Sequence, residues 1–105
     1  MNLDDLRQRL REFADARDWH QYHTPKNLVM ALSGEVGELN ALFQWLTPEE
    51  SDEWQDNPEL AADVRDEVAD IAIYLIRLAD VLGVDILEVA KAKIDRNELR
   101  FPPSR

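Results

Sequence analysis

The chain has 105 residues, 22 acidic and 12 basic side chains, no cysteine and a formal net charge of -10. That length predicts one domain over residues 1–105, and the acidic balance excludes a binder of nucleic-acid polymers, which needs cations to meet phosphates. No cysteine means no disulfide scaffold and no Cys-ligated zinc; the longest apolar run, Ile71 to Ile76, is far too short for a membrane span; and the polar start Met1-Asn2-Leu3-Asp4-Asp5 is no secretory signal, so a folded cytoplasmic domain is expected.

Asn2 is placed to cap a first helix, whose Leu3, Leu6, Leu10 and Phe13 repeat at helical spacing and which should end near Arg17 or Asp18. Trp19 to His23 reads as a short aromatic connector. Thr24-Pro25 pairs an N-cap with proline at the first helical position, so a second helix should run from Pro25 to about Leu46. Thr47-Pro48-Glu49-Glu50 repeats the start signal with a capping box, but the polar residues after it allow only a short helical turn. Asn57-Pro58 opens a third long helix that Gly83 ends. Asp85-Ile86-Leu87-Glu88 reads as another capping box and opens a fourth, which Pro102-Pro103 stops. The fold class is therefore all-α, four main helices plus a short helical turn. On the third helix Leu60, Val64, Val68, Ile71, Leu75, Leu78 and Leu82 fill one arc, widened by Ala72, Ile76 and Ala79. That stripe is too broad for one-sided packing and predicts a bundle completed by oligomerisation.

The chemistry lies in four acids. Leu28, Leu39, Leu42 and Leu46 fall within about 40° of Glu35 on the helical wheel, which places Glu35 in an apolar face. A carboxylate there must be protonated, paired with a buried Arg or Lys, or bound to a metal. Glu38 follows at i+3, and Glu67 and Asp70 repeat that spacing on the third helix. If the two helices pack antiparallel, four carboxylates converge, and a hard divalent cation with oxygen ligands, Mg²⁺ above all, resolves their repulsion. Gly34 and Gly37 flank Glu35 inside a helix, where a tight helix crossing or ligand access would account for them.

The charge is also segregated. Residues 35–88 carry a net of -13, whereas Lys91, Lys93, Arg96, Arg100 and Arg105 leave residues 91–105 at +3. Lys93, Arg96, Asn97 and Arg100 share one face of the last helix. They suit either a polyphosphate or the helix macrodipole. Trp19, Tyr22, His23 and Trp45 could stack on a base or serve as core or interface residues. No Glu-x-x-His pair, Gly-rich phosphate loop or Ser-His-Asp set is visible.

The segments Arg17-Asp18-Trp19, His23, Pro25, Asn27-Leu28, Gly34-Glu35-Val36-Gly37-Glu38-Leu39, Phe43-Gln44-Trp45, Glu67-Val68-Ala69-Asp70-Ile71, Tyr74-Leu75, Val84-Asp85, Lys93, Asn97 and Pro102 resemble the dCTP pyrophosphatase branch of the MazG-like, all-α nucleotide pyrophosphohydrolases. The resemblance covers roughly residues 13 to 102; Pro48 to Pro58 does not align with the pattern, and Glu98-Leu99 replaces a stretch often basic. It implies Mg²⁺-dependent cleavage of a nucleoside triphosphate, dCTP or a modified dCTP, to monophosphate and pyrophosphate. It also implies a house-cleaning role, a homodimer or homotetramer, and tolerance of Mn²⁺. By the resemblance Glu35, Glu38, Glu67 and Asp70 bind Mg²⁺; as a mechanism, one carboxylate deprotonates the attacking water, and the sequence does not choose between Glu35 and Glu38. His23, Asn27, Trp45 and Tyr74, with Trp19, shape the nucleoside pocket. Lys93 and Asn97 hold the triphosphate, and helix geometry adds Arg96. Two alternatives stand beside this reading. One is the same chemistry on dUTP or another non-canonical nucleotide. The other is a non-enzymatic acidic helical interaction module, with Glu35 paired to Arg65 or Arg77 and the loop from Glu49 to Glu59 docking a basic partner.

Overall fold

A computed structural model describes residues 1–104; Arg105, counted above in the basic C-terminal segment, lies outside them. The described chain is all-α: α1 (Leu3–Ala16), α2 (Pro25–Phe43), α3 (Pro48–Asp52), α4 (Pro58–Leu82) and α5 (Ile86–Arg100), with single 3₁₀ turns at Trp19–Gln21 and Trp54–Asp56. No helix among the described residues is long and apolar enough to cross a membrane.

The helix starts follow from local chemistry. Asn2 Oδ1 accepts from the Asp5 N–H at 2.8 Å and Thr24 Oγ1 from the Asn27 N–H at 3.2 Å. Thr47 and Glu50 form a reciprocal capping box, while Asn57 Oδ1 takes two N–H groups of α4. Each such cap is worth about 1 kcal/mol. At Asp85 only half of the expected box forms: its carboxylate accepts from the Glu88 N–H, with no return bond. Gly83, at φ 70°, closes α4 with the Val84 N–H bonded to the Ala79 carbonyl at 2.8 Å, a left-handed C-terminal turn that favours glycine.

The second helix stops earlier than its apolar period suggests. It ends at Phe43, and Leu46 and Trp45 lie in the turn that follows. The cause is Thr47: as cap and as the residue before Pro48 it must be extended, at φ -72° and ψ 161°. The chain therefore has to leave the helix before it.

Packing centres on α4. Its most extensive contact is with α2; α1 and the Trp54–Asp56 turn lie on it less extensively. The buried apolar residues are Ala14, Leu28, Ala61, Val64, Ile76, Leu78 and Ala79. Much of the predicted arc on α4 is not covered: Val68, Leu75 and Leu82 are exposed. Helix α5 packs extensively against no other helix and buries none of its residues. The chain is open as a result. Its accessible surface is 8160 Å², against about 6,100 Å² for a compact monomer of this mass. Its radius of gyration is 16.9 Å, against about 13 Å for a compact domain.

The aromatic connector is anchored at Asp18, which takes a left-handed conformation at φ 56°. That conformation is uncommon for a residue with a side chain, though Asp tolerates it better than most. It turns the chain out of α1 and directly into Trp19.

Candidate active site

Helices α2 and α4 bring Glu35, Glu38 and Glu67 together, with one carboxylate oxygen of each lying within 4.8 Å of the others. Glu35 and Glu67 are half-buried and Glu38 is exposed. The Oε2 atoms of both Glu35 and Glu67 are buried without a hydrogen-bond partner. Two buried carboxylate oxygens with no donor, on residues this close together, are unfavourable. Either a proton or a cation must stand between them. The neighbouring Glu35 carboxyl, then burial, then Glu38 push the Glu67 carboxyl up to about 7. A divalent ion would serve the same oxygens better, because an all-oxygen anionic set is what hard cations select. The donor chemistry and the orphaned oxygens thus fit a metal.

Asp70, the fourth expected ligand, does not complete this mutual cluster; it is half-buried on the turn after Glu67. Among the described residues Glu35 pairs with no arginine. Arg65 lies over the Trp54 ring at 5.1 Å, and Arg77 is engaged elsewhere, which removes the ion pair expected for an interaction module. Gly34 and Gly37 mark no tight crossing within the chain, since a Cβ at either would meet nothing within 4 Å.

The aromatic group assembles beside α1. Trp19 stands edge-on to Phe13 at 5.5 Å and to His23 at 5.8 Å. Asn27 donates through Nδ2 to the Tyr22 carbonyl at 3.0 Å and so ties the connector to the start of α2. Tyr74 is half-buried on α4, one turn beyond Asp70. Trp45 sits past the end of α2 and is 85% exposed. Lys93, Arg96 and Asn97 are on α5. Lys93 borders an apolar groove of 390 Å³ whose α4 wall runs from Leu75 to Leu82. That wall lies roughly 12–22 Å along the α4 axis from Glu67.

One group escaped the sequence reading. Asp80, its side chain 5% exposed, accepts from Arg77 Nη1 at 3.1 Å, from Arg11 through two bonds and from Arg7 at 3.5 Å. The Arg11 hydrogen bond outweighs burial, and the Asp80 carboxyl is held below the usual carboxylate range. A charged pair at i,i+3 inside the apolar run Ile76–Leu82 was the available signal.

No protein-family model matches the chain. It is 45% identical over 100 residues to dCTP pyrophosphatase 1 of Bos taurus and 44% identical to that of Homo sapiens, covering 95% of this chain and 59% of each relative. The chain thus spans about three fifths of the length of these curated relatives. A crystal structure of a pyrophosphatase from Archaeoglobus fulgidus superimposes with a TM-score of 0.85 at 40% identity, covering 95% of this chain and 92% of that one. The chain belongs to the MazG-like, all-α pyrophosphatases.

Proposed function

We propose that this MazG-like chain hydrolyses dCTP, or a modified dCTP, to the monophosphate and pyrophosphate with Mg²⁺ held by Glu35, Glu38 and Glu67 and by Asp70 at their edge. The observation that carries the reading is the pair of buried, unpartnered oxygens on Glu35 and Glu67. Similarity to proteins named dCTP pyrophosphatase 1 supports the choice of nucleotide. Mg²⁺, or Mn²⁺ in its stead, would supply Lewis-acid neutralisation of the triphosphate oxygens. Glu35 and Glu67 hold their oxygens fixed by burial between the two helices. Glu38 is exposed, so water reaches it freely, and it is the better placed of the two candidate bases to take a proton from the attacking water. Cleavage falls between the α and β phosphates. Trp19, His23, Asn27 and Tyr74 hold the nucleoside, and Trp45 closes over it from its exposed position.

The open surface and the sparsely packed α5 support a homodimer or homotetramer in which Lys93, Arg96 and Asn97 approach the carboxylates of another copy. The product pair suits a house-cleaning role in the cytoplasmic nucleotide pool.

The deciding experiment measures pyrophosphate release across all natural triphosphates for the full chain, Glu35→Gln and Glu38→Gln. The wild type should favour dCTP and both variants should lose turnover. Near-wild-type turnover in both variants would refute the mechanism. Calorimetry with Mg²⁺ should show binding that vanishes in the Glu67→Ala, Asp70→Ala double variant; preference for dUTP would keep the site and change the substrate.

A further inference from the structure

His23 is tied to the buried charge cluster by one residue. The Arg77 guanidinium, 5% exposed, spends its three nitrogens on three partners. Nη1 donates to Asp80 at 3.1 Å, Nε donates to His23 Nδ1 at 3.0 Å, and Nη2 lies 3.3 Å from His20 Nδ1. A guanidinium only donates and does not lose its proton. The nitrogen facing it on each imidazole must therefore be the acceptor, which leaves the hydrogen on Nε2. His20 fits this assignment independently, because its Nε2 meets the Asp15 carboxylate. Arg7 and Arg11 in turn hold Asp80, the anion to which the fork is anchored. Burial, Arg77 and His20 also disfavour a second proton on His23.

We propose that Arg77, held by Asp80, is a positioning residue that fixes His23 as the Nε2–H tautomer and so gives the nucleoside pocket a hydrogen-bond donor for an acceptor atom of the base. This rests on the reading of His23 as a pocket residue. An imidazole free to change tautomer would offer donor and acceptor alike and would discriminate bases less sharply. Neither Arg77 nor Asp80 needs to touch the nucleotide.

The test uses the full chain, labelled with ¹⁵N-histidine, in NMR spectra that report which ring nitrogen carries hydrogen; His20→Gln and His23→Gln assign the signals. Wild-type His23 should show hydrogen on Nε2 alone. Arg77→Lys keeps the charge but not the fork, so His23 should become a mixture of tautomers. The KM for dCTP should then rise about tenfold, the size of one lost hydrogen bond, with a smaller change in kcat. Hydrogen on Nδ1 in the wild type, an unchanged ring signature in Arg77→Lys, or an unchanged KM overturns the proposal.

A second comparison stands even if Arg77→Lys does not fold. Gln places its amide nitrogen near the Nε2 position and Asn near Nδ1, so His23→Gln should keep the lower KM of the two. The reverse order overturns the proposal. Mg²⁺ calorimetry on the same proteins keeps the metal site separate: loss of Mg²⁺ binding in the wild type would count against the proposed reaction, whereas the tautomer is read without nucleotide.

Discussion

Helix α4 carries two acids in opposite circumstances. Glu67 faces Glu35 and Glu38 with one buried oxygen unpartnered. Asp80, further along the same helix, is answered by three arginines. The first arrangement is poor as a resting structure and good as a cation seat. The second is complete without any ligand, and its rigidity is what the connector leans on. The contrast sets a carboxylate with an unpartnered buried oxygen against one whose partners are complete, although both are half-buried on one helix.

The contrast can be broken by substitution. The largest expected effect is on rate: Glu38→Gln should lower pyrophosphate release from dCTP by about 10²–10⁴-fold, the usual worth of a positioned base, with the thermal midpoint little changed. Next comes stability. Asp80→Asn leaves buried Arg77 without its anion and should cost about 3 kcal/mol in urea unfolding. An unchanged midpoint would mean that Arg7, Arg11 and Arg77 are not organised by Asp80. The sign with pH follows from the lowered carboxyl: this contribution is present above the usual carboxylate range and is lost as pH falls below it.

Glu67 should behave in the reverse sense. Its carboxyl is raised from 4.5 to about 7 in the folded chain, so between those values the folded state binds more protons than the unfolded state. The Glu67 contribution is then fully present below the unfolded value and is lost as pH rises through about 7. Metal-free protein should therefore unfold more readily at pH 8 than this one group would allow at pH 5, and saturating Mg²⁺ should restore stability mainly at the higher pH. Glu67→Gln should raise the metal-free urea midpoint at pH 8 and abolish the gain from Mg²⁺; a fall in that midpoint would show that the cluster is not repulsive. The smallest stability effect is expected at Trp45. Trp45→Ala should move unfolding by no more than about 0.5 kcal/mol while raising the KM for dCTP.

The sequence made the helix starts legible because capping is local: Asn2, Thr24-Pro25, Thr47-Pro48 and Asn57-Pro58 act within one turn of themselves. It misplaced the end of α2, where apolar period and capping chemistry conflict and the extended Thr47 prevails. Glu35, Glu38 and Glu67 were visible because the i,i+3 acid spacing recurs on two helices, once amid leucines, whereas one such pair alone is usually a solvated face. The Asp80 cluster was not, since Arg11 reaches it from 69 residues away in the chain. No pattern local to α4 announces such a partner. The exposure of Val68, Leu75 and Leu82 agrees with the breadth of the α4 stripe, whose excess over one-sided packing was visible on the wheel.

The left-handed backbone of Asp18 has a consequence for variation. Few residue types hold that conformation cheaply: glycine, asparagine and aspartate do, and β-branched residues do not. Evolution can therefore change position 18 only within a narrow alphabet without redirecting the chain that carries Trp19 and His23. A library of all substitutions at Asp18, selected only for folding, should keep Gly and Asn and discard Val and Ile. Mutational tolerance at an exposed loop residue would thus be set by a backbone angle rather than by any contact its side chain makes.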